Sequence, residues 1–373
     1  MSRIALVHER LTDIAGSEHV VSEMAEVWPS SKVHVPFSRP EGIPGNLSGR
    51  VRTSPLQKLY TRTGSTGYAP LLPAVPWALR HTGVDVRELD ALVLSHHAFA
   101  LGALHTLGST DVPSIAYVHS PARWAWDKQF RQNEASTLPS QAALTALSQV
   151  ALRNEKRWAP RVTKVIANSS EVKNRIERWW GRDAEVIHPP VDTEYFTHGS
   201  ERKEDYFVAV GRLVPYKRVD LAAAAAVRAG VKLVIIGSGR DEARVRASAG
   251  QGVELRGHLP RDEVRDIVRE ARALIMPGVE DFGIVPVEAM AAGTPVIALG
   301  EGGALDTVRP GVSGHLVGKG GGLSDSEIIE ALASAMQEFD DSRFNRAGLE
   351  KFAESFSRST FRSKMQAVVS SVL

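Results

Sequence analysis

The pattern that most constrains the fold is a short apolar run that ends in a polar loop and passes into a helix, repeated along the chain in two separate series. The first run covers residues 3–8, and from Gly16 onward Val20, Val21, Met24, Ala25, Val27 and Trp28 recur at helical spacing. Runs of the same kind stand at 89–94, 114–118, 164–167 and 185–187, with helical stretches between them, most clearly 141–158. Strands alternating with helices in this way predict an α/β domain around a mainly parallel sheet. A second series starts at Tyr206-Phe207-Val208-Ala209-Val210 and repeats at 232–236, 253–255, 273–276 and 295–299, which predicts a second doubly wound unit.

A chain of 373 residues exceeds the usual size of one core, so two domains are expected. The stiff turn His188-Pro189-Pro190-Val191-Asp192 and the polar stretch 197–205 separate the two series and place a hinge between them. The expected boundaries are 1–190 and 191–354, with 355–373 a closing helix marked by Phe356, Phe361, Met365, Val368 and Val369. Two such sheets joined by a hinge would face a central cleft, with ligands at the carboxyl ends of the strands.

Composition removes several function classes. Forty-five basic residues against 43 acidic ones leave a formal charge of +2, which does not point to nucleic acid. With no cysteine, disulfides, thiolate metal sites and a cysteine nucleophile are excluded. The 12 histidines lack the His-x3-His spacing with an intervening Glu, so no metal is expected. The chain opens directly into a strand, with no signal-like region and no run of eighteen apolar residues. The expectation is a cytoplasmic protein able to touch a membrane peripherally from the inside.

The densest chemistry lies in Glu280-Asp281-Phe282-Gly283-Ile284-Val285-Pro286-Val287-Glu288, where two glutamates flank a turn that enters a helix. Pro286 suits a first helical turn, and the amides of Phe282, Gly283, Ile284 and Val285 would point outward at a helix N-terminus, where anions bind. Glu280 before the helix and Glu288 one turn inside it add two acceptors for hydroxyl groups. Phosphate donors beside hydroxyl acceptors suggest a sugar nucleotide. The plainer reading makes Glu280 a solvated loop residue and Glu288 a partner within its own helix.

This segment closely resembles the E-x7-E signature of the family 4 glycosyltransferases, retaining enzymes of the GT-B fold, which is α/β with two Rossmann-like doubly wound domains facing a central cleft. The resemblance continues through Ala291-Ala292-Gly293-Thr294-Pro295, then Gly302-Gly303-Ala304 and Asp306. It implies an acceptor domain at 1–190, a nucleotide-sugar donor domain at 191–354 and a last helix that crosses back to the first domain.

Other segments fit the same resemblance. Gly211-Arg212-Leu213-Val214-Pro215-Tyr216-Lys217-Arg218 follows a strand and sets two cations, Arg212 and Lys217, at its carboxyl edge. In the family those two bind the donor diphosphate and stabilise the departing nucleotide, while Arg218 reads as a solvated neighbour. Arg256-Gly257-His258-Leu259-Pro260-Arg261-Asp262 is similar to the stretch that packs on the base, which points to His258 and Leu259. There Asp262 either reads guanine or caps a helix. Gly237-Ser238-Gly239-Arg240 reads as a close turn.

In the first half, Ala15-Gly16-Ser17-Glu18 resembles a Gly-Gly-x-Glu loop with Ala15 in the first glycine position. Gly16 would let backbone amides approach the ligand, and Glu18 either caps its helix or faces the acceptor. The run His119-Ser120-Pro121-Ala122-Arg123-Trp124-Ala125-Trp126-Asp127 is similar to one in bacterial mannosyltransferases that build lipopolysaccharide and related glycans. It assigns His119 to the transferred sugar or the reaction centre, and Arg123 and Trp124 to the acceptor, although Trp124 and Trp126 fit buried packing equally well. His96-His97 lies at another strand end, with no second feature to single it out. Arg50, Arg52, Lys58 and Arg62 among Leu56, Leu59, Tyr60 and 70–77 fit either an anionic membrane surface or ordinary packing.

The resemblance implies a metal-independent, retaining transferase with no cofactor. It would move a hexose, first of all mannose from GDP-mannose, to a hydroxyl of a glycan or polyprenyl-linked acceptor. Catalytic roles fall to His119, Arg212, Lys217 and Glu280, with Glu288 on the donor's ribose. A UDP-, ADP- or dTDP-sugar donor, a sugar-nucleotide epimerase, a phosphorylase and a non-catalytic nucleotide-sugar-binding subunit stay open as alternatives.

Overall fold

Thirteen strands form two sheets in a computed structural model that describes residues 2–64, 67–134, 137–197, 203–318 and 320–373. The first sheet holds β1 (Ile4–His8), β2 (Lys32–Val35), β3 (Val51–Thr53), β4 (Ala91–His96), β5 (Ser114–Val118), β6 (Lys164–Ala167) and β7 (Glu185–Val186), in the order β3-β2-β1-β4-β5-β6-β7. The second holds β8 (Phe207–Val210), β9 (Leu233–Ile236), β10 (Val253–Gly257), β11 (Leu274–Met276), β12 (Val296–Leu299) and β13 (Gly314–Val317), in the order β10-β9-β8-β11-β12-β13. Every pairing is parallel. Two Rossmann-like α/β domains result. The chain divides into a unit of Met1–Pro190 with Phe361–Leu373 and a unit of Val191–Thr360. Residues 198–202 of the expected polar linker lie outside the described residues.

Period-two alternation puts successive strand residues on opposite faces, and here both faces are covered. Ala5 and Val7 of β1 join Leu92 and Leu94 of β4 in one core, while Ile4 and Leu6 join Ala91 and Val93 in another. In the second sheet Val208 belongs to one core, and Phe207 and Ala209 to the other. The last helix, Arg358–Ser370, buries Phe361, Met365, Val368 and Val369 beside Ile4, Leu6 and Met24, and Arg362 Nε meets Glu23 Oε2 at 2.6 Å.

The strands β2, β3 and β13 were not expected. Each is three or four residues long and carries a polar or charged side chain or a glycine. Such segments hold their place by pairing with an inner strand rather than by a hydrophobic run of their own. β4 starts two residues later than expected, because Asp90 is taken up by the amide of Arg3 at 2.7 Å.

In each sheet the strand order reverses between the first and fourth strands, and the loops leaving those two strands diverge to opposite faces. Ligands of open parallel sheets bind at this point. In the second unit the diverging loops are nevertheless tied together. A Cβ on Gly278, in the loop after β11, would lie 2.6 Å from Lys217 Cα and O in the loop after β8, and one on Gly303, in the loop after β12, would lie 2.2 Å from Phe282 O, which braces the β11 loop from its other side. The Gly303 amide also donates to Glu280 O at 2.9 Å. Backbone therefore rests on backbone, with no flexible side chain to give way. Gly303→Ala is expected to cost roughly 1–3 kcal/mol or more through overpacking, read as a lower midpoint in urea denaturation. Wild-type stability in that variant would mean that the loops can part freely.

Candidate functional site

At the reversal point of the second sheet, the loop after β8 turns through Pro215–Lys217 and the loop after β11 runs into the helix Ile284–Ala291. Lys217 Nζ lies 2.7 Å from Glu280 Oε1, with 13% and 19% of the two side chains exposed. Half-buried charges that share one hydrogen bond hold a fixed position, unlike an exposed pair. Arg212 is exposed and forms no ion pair among the described residues. The helix starts after Gly283, whose φ of 87° reverses the chain, so the amides of Ile284 and Val285 have no intrahelical acceptor. Phe282 contributes backbone only, since its ring is buried against Phe356 at 5.7 Å. Pro286 falls in the first helical turn.

Arg218 is not a solvated neighbour. It has φ 49°, the one positive φ at a non-glycine among the described residues. Its guanidinium meets both oxygens of Asp325 at 2.8 and 2.5 Å and both oxygens of Asp220 at 3.2 Å. Arg244 adds a second cation on Asp220 at 2.8 Å. This lattice of charge holds a strained turn immediately after Lys217 and so fixes where its side chain leaves the backbone.

Glu288 is half-buried, and burial pushes its carboxyl up to about 7, with Asp192 adding to the rise while Arg261 and Lys217 oppose it. Asp192 is itself bridged by Arg261 at 2.9 Å and Arg358 at 3.0 Å. His258 is exposed, and Leu259 packs half-buried on the core. Asp262 lies in the first turn of the helix Arg261–Glu270, behind the N-cap Pro260, and its carboxylate accepts from the Tyr195 hydroxyl. It is not the helix cap, and its side chain stays 74% exposed. The turn at Gly237 and Gly239 rests on the loop after β8, where Leu213 N donates to Ser238 O at 2.9 Å.

The reversal point of the first sheet gathers histidines and buried carboxylates. His119, 8% exposed, follows β5 and bonds Ser95 Oγ through Nε2 at 2.8 Å. His97 stacks on it at 4.3 Å between ring centres. Burial, reinforced by the neighbouring His97 and His8, holds His119 well below the usual imidazole value, and the same surroundings bring His97 down to about 3. Gly16 opens the helix Gly16–Val27, and Glu18 caps it by accepting the Ala15 amide at 3.1 Å while its other oxygen meets His8 Nε2 at 3.3 Å. Sequence reasoning missed His8 and Ser95, and it placed His97 at a strand end without giving it a role. All three stand at strand ends on either side of the reversal point, and that shared position is the signal that could have grouped them.

Two buried carboxylates hold this edge. Glu9 Oε1 accepts the amides of His97, Ala98, Phe99 and Ala100 at 2.9, 2.5, 2.5 and 3.1 Å. Glu155, with no exposed surface, accepts from His96 Nε2 at 3.1 Å, the Ala122 amide at 2.8 Å, and the indoles of Trp126 and Trp180 at 2.5 and 3.0 Å. Trp126 is thereby a packing residue. Trp124 lies half-buried against Phe99, and Arg123 covers the Phe130 ring at 4.3 Å. In the basic and apolar stretch, Leu56, Tyr60, Leu71 and Val75 are buried, and Arg50 is spent on the carbonyls of Ala25, Trp28 and Ser31. Leu59 and Trp77 remain about half exposed, at 48% and 49%.

Residues 14–195 match the model of Glycosyltransferase Family 4, and residues 191–348 that of Glycosyl transferases group 1. The chain belongs to the GT-B glycosyltransferases. This glycosyltransferase is 29% identical over 305 residues to the D-inositol 3-phosphate glycosyltransferase of Mycolicibacterium smegmatis, with 70% of each chain covered. Against the enzyme of the same name from Mycobacterium sp. strain JLS it spans 57% of that protein's length, again at 29% identity. Its fold is similar to that of Anabaena Alr3699/HepE, solved in complex with UDP, at TM-score 0.69 and 18% identity over 99% of this chain and 100% of that one. Sucrose-phosphate synthase from Thermosynechococcus elongatus is similar at TM-score 0.70 and 18% identity, covering 100% and 99%. Among the described residues no helix is long and apolar enough to cross a membrane, and no cluster of three metal-ligating side chains occurs.

The raised carboxyl of Glu288 has a defined consequence for stability. From the ordinary value of 4.5 up to about 7 the folded chain holds a proton that the unfolded chain has released, so stability falls as pH rises through that window. Glu288→Gln is neutral in both states. Its stability relative to wild type should rise across that window and level off above it, as measured by thermal melts of both proteins. Parallel curves would mean that the carboxyl is not desolvated.

Proposed function

We propose that this glycosyltransferase is a retaining, metal-independent hexosyltransferase that takes mannose from GDP-mannose and places it on a hydroxyl of a glycan or lipid-linked glycan. The observation that carries this reading is the Lys217–Glu280 pair beside exposed Arg212 and the start of the helix Ile284–Ala291, all at one reversal point. Two cations and first-turn amides converge where a diphosphate would lie, so charge developing on the leaving nucleotide is met without a divalent ion. Glu280 then orients hydroxyls of the sugar, Glu288 takes the ribose, and His119 contacts the transferred hexose. Retention rests on the family. Leu59 and Trp77, with Lys58 and Arg62 exposed near Leu59, would give a lipid-linked acceptor a basic and apolar surface at the inner leaflet.

A second reading replaces the donor by a UDP-hexose and the acceptor by a phosphorylated polyol. It is favoured by the similarity in fold to HepE, which was solved with UDP, and by the mycobacterial relatives, which are D-inositol 3-phosphate glycosyltransferases. Isothermal titration with GDP, UDP, ADP and dTDP separates the two donors. Selective GDP binding that is lost in Arg212→Ala is expected, and selective UDP binding would transfer the proposal to the second donor. Lys217→Ala should lower turnover about 100- to 1000-fold, and EDTA should leave transfer intact. An EDTA-sensitive reaction would end the metal-independent mechanism, and an inverted anomer in the product NMR spectrum would end the retaining one.

A further inference from the structure

Four buried side chains at the carboxyl edge of the first sheet form one hydrogen-bonded line. Glu18 Oε1 lies 3.3 Å from His8 Nε2, His8 Nδ1 lies 3.0 Å from Ser95 Oγ, and Ser95 Oγ lies 2.8 Å from His119 Nε2. Their exposures are 6%, 1%, 1% and 8% in the order Glu18, His8, Ser95, His119. No atom of the first three is left over to meet a ligand directly. His119 Nδ1, by contrast, has no hydrogen-bond partner among the described residues.

The direction of every bond in this line follows from its far end. Glu18 also accepts from the Ala15 amide and from the Ser17 hydroxyl at 2.9 Å. Burial opposes its ionisation, but His8 and these donors outweigh burial and hold the carboxyl well below its usual range. It is therefore a carboxylate that only accepts, and His8 must carry its proton on Nε2. At pH about 8, where imidazoles are ordinarily neutral, a His8 carrying one proton has a bare Nδ1, which takes the single hydroxyl proton of Ser95. Ser95 has only lone pairs left for His119, so His119 donates through Nε2–H. Its own burial beside His97 and His8 keeps the ring neutral, and Nδ1 is left as a lone pair. A second proton on His8 would reverse Ser95 and turn Nδ1 of His119 into a donor.

We propose that Glu18, His8 and Ser95 are positioning residues that lock His119 in the Nε2–H tautomer, so that it offers an acceptor to a ligand hydroxyl rather than a donor to an anionic oxygen. The part of this that concerns transfer rests on the proposed role of His119 at the hexose. The locked tautomer itself depends only on the geometry of the first unit.

The test uses the full chain labelled with ¹⁵N-histidine at pH about 8, where imidazoles are ordinarily neutral. Two-bond N–H correlations report each tautomer, and His119→Ala assigns the signals. Wild type should show a protonated Nε2 and a bare Nδ1 at His119. Ser95→Ala should give a mixed or inverted tautomer and lower kcat/KM about 3- to 10-fold, the range expected for one lost hydrogen bond. Its nucleoside-diphosphate affinity should be unchanged, and Ser95→Thr should restore both readouts. A proton on Nδ1 in wild type, or an unchanged tautomer in Ser95→Ala, would overturn the lock. A changed tautomer with full turnover, while His119→Ala is inactive, would overturn the positioning role. Full turnover in His119→Ala would instead remove His119 from the transfer mechanism and leave the lock to be judged by the spectrum.

Discussion

The second unit depends on backbone touching backbone at Gly278 and Gly303. Loops leaving neighbouring strands at a reversal point diverge by construction, which opens room for a ligand but leaves nothing to hold the loops in register. Contacts of this kind close that gap without filling the space, because a glycine brings two main chains together and adds no side chain of its own. The 2.7 Å Lys217–Glu280 bond joins residues 63 positions apart, and it can persist only if the two loops are placed independently of it. Gly278 against Lys217, Gly303 against Phe282 and the amide of Gly303 on Glu280 supply that placement. Arg218, pinned by Asp220 and Asp325, then removes the remaining freedom at the turn.

The first unit meets the same demand by different means. Its loops are gathered by buried carboxylates, Glu9 on four consecutive amides and Glu155 on a histidine, an amide and two indoles. Burying an ion is costly unless its lone pairs are occupied, and here the principal ones are. A network of this kind specifies one arrangement, because every alternative strands a charge in the core. Glycine packing tolerates a polar ligand alongside it, whereas a carboxylate hub is committed to the protein's own donors. In the second unit Arg212 is left without an ion pair among the described residues, and the amides of Ile284 and Val285 without an intrahelical acceptor.

This difference explains what could be read from the residues alone. Continuous apolar strands such as 114–118 and 164–167 carry their own signal and stand where expected. β2, β3 and β13 draw their strand character from a neighbour, and no local pattern reveals that. The glutamates and cations of the second unit lie close together in short segments, so their spacing was visible. The first unit's cluster draws His8, Ser95, His97 and His119 from loops separated by 24 to 87 positions in its hydrogen bonds, and only the parallel register brings them side by side. Arg218 was misjudged, and Leu56 and Tyr60 were left between two readings, for one reason. Charge and hydropathy in a short window do not show whether a distant partner, such as Asp325, waits in the fold.

The electrostatic contrast between the two edges also constrains chemistry. The second unit offers cations and helix-start amides, and one carboxyl raised to about 7 by burial. The first unit brings three imidazoles together and suppresses charge on two of them: His97 is held at about 3 and His119 well below its usual value. An imidazolium at either ring would add an anion-attracting charge to that edge. Uncharged, these two rings act as ordinary hydrogen-bond donors and acceptors, which suits hydroxyls. Burial thus withholds charge from two imidazoles in the first unit, whereas Arg212 and Lys217 supply it in the second, so each edge on its own favours a different partner chemistry.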